Sequence, residues 1–170
     1  MLLTGHAFLY SITPFRAMCA RQLLTHVREG TARCFAELVP TMEVDIYCED
    51  PTNMENYGAK FRVRSSSSDA DGGGAEWRYS LEELSGGQRT LLNLSLLLAL
   101  ARQRVPLVLL MDEVDAALDE NNASKVAFML KELSSSCQII AISHRSEFHR
   151  AADHIVNLHK EKGYTVVSQI

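Results

Sequence analysis

An α/β fold with a parallel-sheet core is predicted by three features of the sequence. From residue 85 to residue 143 a helical pattern, an unbroken apolar run, a second helical pattern and a second apolar run follow one another, the order of a layered α/β unit. Upstream, residues 41–48 and 59–64 alternate apolar and polar side chains at the two-residue period of a strand with one wet face, which suggests an antiparallel pair. Near the C-terminus, residues 155–158 and 164–167, joined through Lys162-Gly163, read as a β-hairpin.

The elements follow in order. Residues 1–13 show no clear period. Pro14 suits the first position of a helix, and Phe15, Met18, Leu23, Val27, Cys34, Phe35 and Leu38 continue a helical stripe, with Gly30 a weak point and Pro40 a stop. In the first strand Met42, Val44, Ile46 and Cys48 oppose a wet face of Glu43, Asp45 and Tyr47. Residues 49–58 are a polar turn region, and residues 65–74 are a Ser/Gly/Asp stretch expected as a flexible surface loop. Residues 85–102 form a helix apolar nearly all round, which should be covered on most sides. Residues 105–111 are an apolar strand of the kind buried in a parallel sheet. An amphipathic helix over 121–133 turns Val126, Met129, Leu130 and Leu133 inward, a second buried strand spans 138–143, and a short helix spans 146–152.

At 170 residues the chain is one domain or a large part of one, and its net charge of −4 gives no sign of nucleic-acid binding by the domain as a whole. The leucine-rich run 94–101 is too short to cross a membrane and is flanked by Asn93 and Arg102. Cys19, Cys34, Cys48 and Cys137 are scattered without a C-x-x-C pair, which points to reduced, mostly packed thiols and a reducing compartment. The first 28 residues lack Asp and Glu but hold Arg16, Arg21 and Arg28, a faint resemblance to a mitochondrial transit peptide that a gene-model start or a helix face explains as well.

Two motifs carry chemistry. Ser85 stands where a helix N-cap belongs, and Gln88, three residues on, completes a capping box. Gly86 and Gly87 leave the N–H groups of the first turn uncovered, so the positive end of the helix can meet a phosphate. The plainer alternative is a capped helix after a glycine turn. Downstream, Leu107-Val108-Leu109-Leu110-Met111-Asp112-Glu113 is an apolar strand ending in two acids, and open α/β sheets bind ligands at the carboxyl ends of their strands. Neighbouring side chains point apart. Asp112 would hold Mg²⁺ on a nucleotide through a water, and Glu113 would act as general base on the attacking water, a role worth roughly 10²–10⁴-fold in rate. Two solvated acids in a surface turn are the alternative.

Taken together, Leu84-Ser85-Gly86-Gly87-Gln88, the apolar helix, strand-Asp112-Glu113, Ala117-Leu118-Asp119 and strand-Ser143-His144 resemble the ATP-binding cassette superfamily in order and spacing. The wording Asp112-Glu113-Val114-Asp115-Ala116-Ala117-Leu118-Asp119 is similar to the structural maintenance of chromosomes (SMC) proteins, particularly condensin and cohesin members. Most of the resemblance lies in residues 84–119. It implies an ABC-type P-loop NTPase head in which Ser85, Gly86, Gly87 and Gln88 are the signature reaching the γ-phosphate of ATP on an opposing head. It further implies Asp112 as the Mg²⁺ ligand of the Walker B pair, Glu113 as its catalytic base, Asp119 as part of the D-loop and His144 as the switch histidine.

No G-x-x-x-x-G-K followed by Ser or Thr occurs, so the phosphate-cradling loop is missing. SMC chains carry that loop in an N-terminal lobe across a long coiled coil. The resemblance therefore implies a partial head: residues 1–40 an N-terminal segment and coiled-coil root helix, residues 41–170 the C-terminal lobe, unable to hydrolyse ATP alone. An exposed sheet edge and a large apolar patch should mark where the other lobe docks. Implied partners are the Walker A lobe, a second SMC head, a kleisin-type subunit and DNA through the assembled complex, without a membrane, at the chromosome in a nucleus or, in a prokaryote, in the cytoplasm at the nucleoid. A non-catalytic partner-binding module and a truncated product are the alternatives. His144, His149, His154 and His159 recur every five residues, a spacing that aligns them on neither a helix nor a strand. Arg62, Arg64 and Arg78 flank the serine-glycine loop, as DNA-phosphate contacts or as a solvated strand face.

Overall fold

Val27, Thr31, Cys34, Phe35 and Leu38 recur at helical spacing, and all five are buried. In the computed structural model, which describes residues 5–50, 58–66 and 76–169, they lie on one face of α1 (Gly5–Leu38). The helix begins at Gly5 and runs through Pro14, not from it. His6-Ala7-Phe8-Leu9-Tyr10 contains no second breaker, and one internal proline deletes a single ladder bond without necessarily ending a helix. The end is as expected: the Val39 N–H donates to Phe35 O at 2.7 Å, Pro40 has no N–H to continue, and Met42 N–H turns back to Val39 O.

Backbone contacts divide the chain into two compact units, Met1–Val105 and Pro106–Ile170. In the first, α1 packs against β1 (Met42–Tyr47) and α2 (Gly86–Gln103). Gly30, a weak point by propensity, has a packing reason: a Cβ added there would stand 3.0 Å from the Ala99 Cβ of α2. Leu91, Leu92, Leu94, Leu98, Ala99 and Ala101 of α2 are buried, whereas Leu100 is exposed. Buried Ser95 returns its hydroxyl to Leu91 O at 2.7 Å. The Cys34 thiol lies 3.6 Å from an Arg102 nitrogen; burial pushes its pKa up, the nearby guanidinium opposing, so it stays protonated at neutral pH. Cys34 and Cys137 are buried, Cys48 half-buried and Cys19 exposed, all free thiols.

β1 pairs antiparallel with β2 (Lys60–Ser65), placing Asp45 opposite Arg62 and Glu43 opposite Arg64. The wet face expected here is not wet at Asp45, which is buried. Arg62 donates two hydrogen bonds to its Oδ2, at 2.9 and 2.7 Å, and Arg28 of α1 pairs with Oδ1. Charge pairing at close range makes that burial tolerable. Arg62 also lies over the Tyr47 and Trp77 rings, and Arg64 over Trp77, at 4.5–5.2 Å from the centroids. Arg78 adds a bridge to Val63 at the edge of this sheet and pairs with Glu83. All three arginines thus have carboxylate partners, Asp45, Glu43 and Glu83. The serine-glycine loop and the polar turn fall mostly outside the described residues.

In the second unit β3 (Val108–Asp112) and β4 (Gln138–Ile142) pair in parallel, joined by α3 (Glu120–Leu133). The expected buried strands are not buried on both sides. Register and alternation put Val108, Leu110, Ile140 and Ile142 on one face, and all four are exposed, Leu110 at 72%. Met111, on the other face, is buried. Full burial of a parallel sheet needs cover on both faces, and this unit's sheet has two strands among the described residues. α3 buries Val126, Met129, Leu130 and Leu133 as expected, and α4 (Ser146–Ala151) packs against it with Phe148 buried. β5 (Val156–Glu161) and β6 (Tyr164–Gln169) form the hairpin, turning through Lys162 at φ 48° and Gly163 at φ 86°. Two successive positive φ values are the geometry that Lys162-Gly163 suggests. Among the described residues no helix is long and apolar enough to cross a membrane.

Gly30→Ala should show that the α1–α2 contact is tight. The methyl gains up to about 1 kcal/mol of helix propensity, but overpacking costs about 1–3 kcal/mol. A net loss of about 1 kcal/mol is expected in urea unfolding, partly recovered when Ala99→Gly is added. An unchanged or raised midpoint would contradict the contact.

Candidate functional site

The two halves of the expected site belong to different units. In the first, a single 3₁₀ turn (Leu81–Glu83), capped by Ser80, leads through buried Leu84 to the tip of α2. There the capping box is complete: the Gln88 N–H donates to Ser85 Oγ at 3.2 Å, and the Ser85 N–H donates to Gln88 Oε1 at 3.0 Å. Both side chains serve as acceptors in these contacts, so the Ser85 hydroxyl and the Gln88 amide keep their own donors. Gly86 and Gly87 occupy the first turn, where N–H groups lack intrahelical acceptors. A Cβ at Gly86 would meet open space, and no acid stands in the first turn to neutralise the positive helix end. Thus Ser85 and Gly86, exposed, and Gly87 and Gln88, half-buried, form a helix tip rich in donors.

In the second unit the acids stand at the carboxyl end of β3. Asp112 is its last residue, on the exposed face by alternation and itself exposed. Glu113 has φ 46°, the left-handed region that non-glycine residues seldom adopt. Two hydrogen bonds hold it there: its N–H donates to Ile142 O at 3.0 Å, and its carbonyl accepts from Ala116 N–H at 3.1 Å. The same left-handed turn redirects the Glu113 side chain toward the exit of β4. His144 Nε2 stands 3.3 Å from Glu113 Oε1, and both side chains are largely exposed. Glu113 and His144, distant in sequence, are therefore neighbours.

Asp119 has an evident structural role. Its carboxylate N-caps α3, accepting from the Asn122 N–H at 2.7 Å and the Asn122 side-chain amide at 3.1 Å. His149 turns its Nε2 to Ser143 O at 3.1 Å. Among the described residues no group of three or more His, Cys, Asp or Glu is arranged to hold a metal. Asp112 alone offers a hard carboxylate at a strand end, which suits Mg²⁺ only where a nucleotide's phosphates and water supply most of the ligands.

Asp115 and Ser143 stand inside the motif wording without a role of their own, and Arg145 lies just outside it. Asp115 is an acid buried to 3% exposure inside a short turn, bonded to Ser143 and facing Arg145. The only trace in the sequence is an acid between Val114 and Ala116, where a mere surface turn needs no burial.

A family model described as RecF/RecN/SMC N terminal domain matches residues 22–166. The chain is 30% identical over 146 residues to the Chromosome partition protein Smc of Aquifex aeolicus (strain VF5), covering 86% of this chain and 12% of that protein. It is 37% identical over 134 residues to Structural maintenance of chromosomes protein 2 of Saccharomyces cerevisiae, covering 79% and 10%. The chain thus spans only a small fraction of the length of these relatives. A crystal structure of the SmcHead bound to the C-winged helix domain of ScpA superposes with a TM-score of 0.76 at 25% identity, covering 86% of this chain and 43% of that one. The α/β fold is that of SMC heads.

The left-handed backbone at Glu113 has a measurable consequence. Glu113→Gly should be more stable than Glu113→Ala by about 1 kcal/mol in urea unfolding, because only glycine meets that φ without a Cβ clash. The reverse order would show that residue 113 does not hold this conformation in solution.

Proposed function

This chain belongs to the RecF/RecN/SMC family, and from that membership we propose that it works as the C-terminal lobe of an SMC-type ATPase head. The observation that carries the proposal is Asp112 and Glu113 at the carboxyl end of a parallel strand, with His144, two residues beyond the end of the adjacent strand, 3.3 Å from Glu113. On this reading α1 is the root of a coiled-coil helix, and the lobe acts on ATP bound by a Walker A lobe absent from the 170 residues. ATP engages two such heads, and hydrolysis releases them, in chromosome condensation or cohesion.

The residues divide the work. Ser85, Gly86, Gly87 and Gln88 offer hydroxyl, amide and backbone donors to the γ-phosphate of ATP held on the opposing head. Asp112 would hold Mg²⁺, which when bound neutralises charge on the phosphates. Glu113 accepts the proton of the attacking water, and His144 beside it orients that water or touches the γ-phosphate. Asp119 carries the D-loop to the head–head interface while capping α3. The exposed face of Val108, Leu110, Ile140 and Ile142 supports docking of the Walker A lobe, since a parallel sheet is stable when both faces are covered. A kleisin-type subunit, of which the ScpA domain is the model, and DNA through the assembled complex are the further partners, at the chromosome.

A second reading has its own support. Val156, Leu158, Tyr164 and Val167 are exposed on the hairpin, which suits a non-catalytic module that binds a protein partner.

Mixing the chain with the Walker A lobe of an SMC head and measuring ATP turnover separates the two. Glu113→Gln is expected to lower kcat by about 10²–10⁴-fold while preserving ATP-driven head association. Full turnover in that variant removes Glu113 as the base, and failure of ATP to drive association favours the partner-binding module. Leu110→Lys, which sets a charge on the exposed sheet face, should abolish association with the Walker A lobe while leaving the chain's own unfolding midpoint unchanged. Retained association would place the docking surface elsewhere.

A further inference from the structure

His144 has little to hold it in place. Its side chain is 86% exposed, and the contact that aligns it is the one to Glu113, itself more than half exposed. Exposed polar pairs of this sort are weak. The residues on either side of it are anchored instead. Ser143 Oγ donates to the Asp115 carboxylate at 2.7 Å and accepts the Arg145 N–H at 3.0 Å. The Arg145 guanidinium reaches back to the turn after β3, its Nε donating to Asp115 O at 3.2 Å and its Nη2 to Leu118 O. Asp115 Oδ2, on a side chain only 4% exposed, faces Arg145 Nε at 3.9 Å.

These contacts have one geometric result. Ser143 and Arg145 flank His144, while Asp115 and Leu118 lie between Glu113 and Asp119. The two strand-end turns are therefore tied to each other through Arg145 and Ser143. We propose that Arg145 is a positioning residue that sets His144 against Glu113 by clamping the turn after β3. The planar fork of an arginine can serve two carbonyls and face a carboxylate at once; a lysine ammonium in its place lacks that fork. The consequence for hydrolysis rests on the ATPase reading above, whereas the clamp itself does not.

The spacing can be read directly in the isotopically labelled chain. A nuclear Overhauser contact between the His144 ring and the Glu113 side chain is expected in the parent and lost in Arg145→Met. Amide exchange should quicken at Leu118, whose N–H bonds Asp115 O, while the β3–β4 amides keep their protection. A contact retained in Arg145→Met, or absent from the parent, overturns the proposal. Should Arg145→Met not fold, Arg145→Lys and Ser143→Ala carry the same readout: loss of the contact supports the clamp, and its retention in both overturns it. With the Walker A lobe added, Arg145→Lys should lower kcat by up to about 10²-fold with KM for ATP unchanged; an unchanged kcat overturns the positioning role in catalysis. A parent that shows the contact but no ATP turnover removes the ATPase reading and leaves the clamp standing.

Discussion

The parallel register of β3 and β4 is the constraint on which the C-terminal unit depends. Pairing Asp112 with Ile142 brings two strand exits side by side, and the Glu113 N–H to Ile142 O extends the ladder one rung further. Side-chain alternation makes this register chemically exclusive. A slip of one residue would turn the Asp112 carboxylate toward the side where Met111 is now buried, and put Met111 in its place. An unpaired carboxylate moved out of water costs more than a ladder hydrogen bond returns. Once the register is set, Glu113 and His144 need only short turns to meet.

The N-terminal unit solves a different problem, presenting a bare helix tip on a firm base. A backbone-close contact at Gly30 and Ala99 seats α2 on α1. Asp45, buried between Arg28 and Arg62, ties α1 to the antiparallel pair from the other side. Arg62 stacks on Trp77, whose neighbour Arg78 bridges Val63 and pairs with Glu83 of the 3₁₀ turn. Leu84 is buried, and Ser85 begins the cap. Each link is a modest interaction, but in sequence they leave the chain little freedom at the point where α2 starts.

Elements with a strong period were legible in the sequence: the inward face of α3, the antiparallel pair, the Lys162-Gly163 hairpin and the capping box at Ser85 and Gln88. What escaped depended on partners distant in the chain. Asp45 fits the alternation of a wet strand face, and only the arginines from α1 and β2 make its burial possible. Gly30 counts against a helix by propensity, and its use appears only when Ala99 is set against it. The apolar run before Asp112 reads as fully buried because composition does not reveal whether both faces of its sheet are covered. Of the site, the helix tip and the acids were legible from local pattern, whereas the proximity of Glu113 and His144 and the tie through Asp115, Ser143 and Arg145 needed the register.

The strain at Glu113 connects these points. A left-handed non-glycine residue costs about 1–3 kcal/mol and persists only where its surroundings over-determine it. Here two backbone hydrogen bonds do so, one to the neighbouring strand and one within the turn. Relief was available at this position through glycine, yet the residue is an acid whose carboxylate the strained backbone carries toward His144. The exposed apolar face beside it has a separate chemistry, since Val108, Leu110, Ile140 and Ile142 suit a protein surface and not a phosphate. Strain at the acid and the bare sheet face are thus separate features: the first turns the Glu113 side chain toward His144, and the second leaves Val108, Leu110, Ile140 and Ile142 exposed.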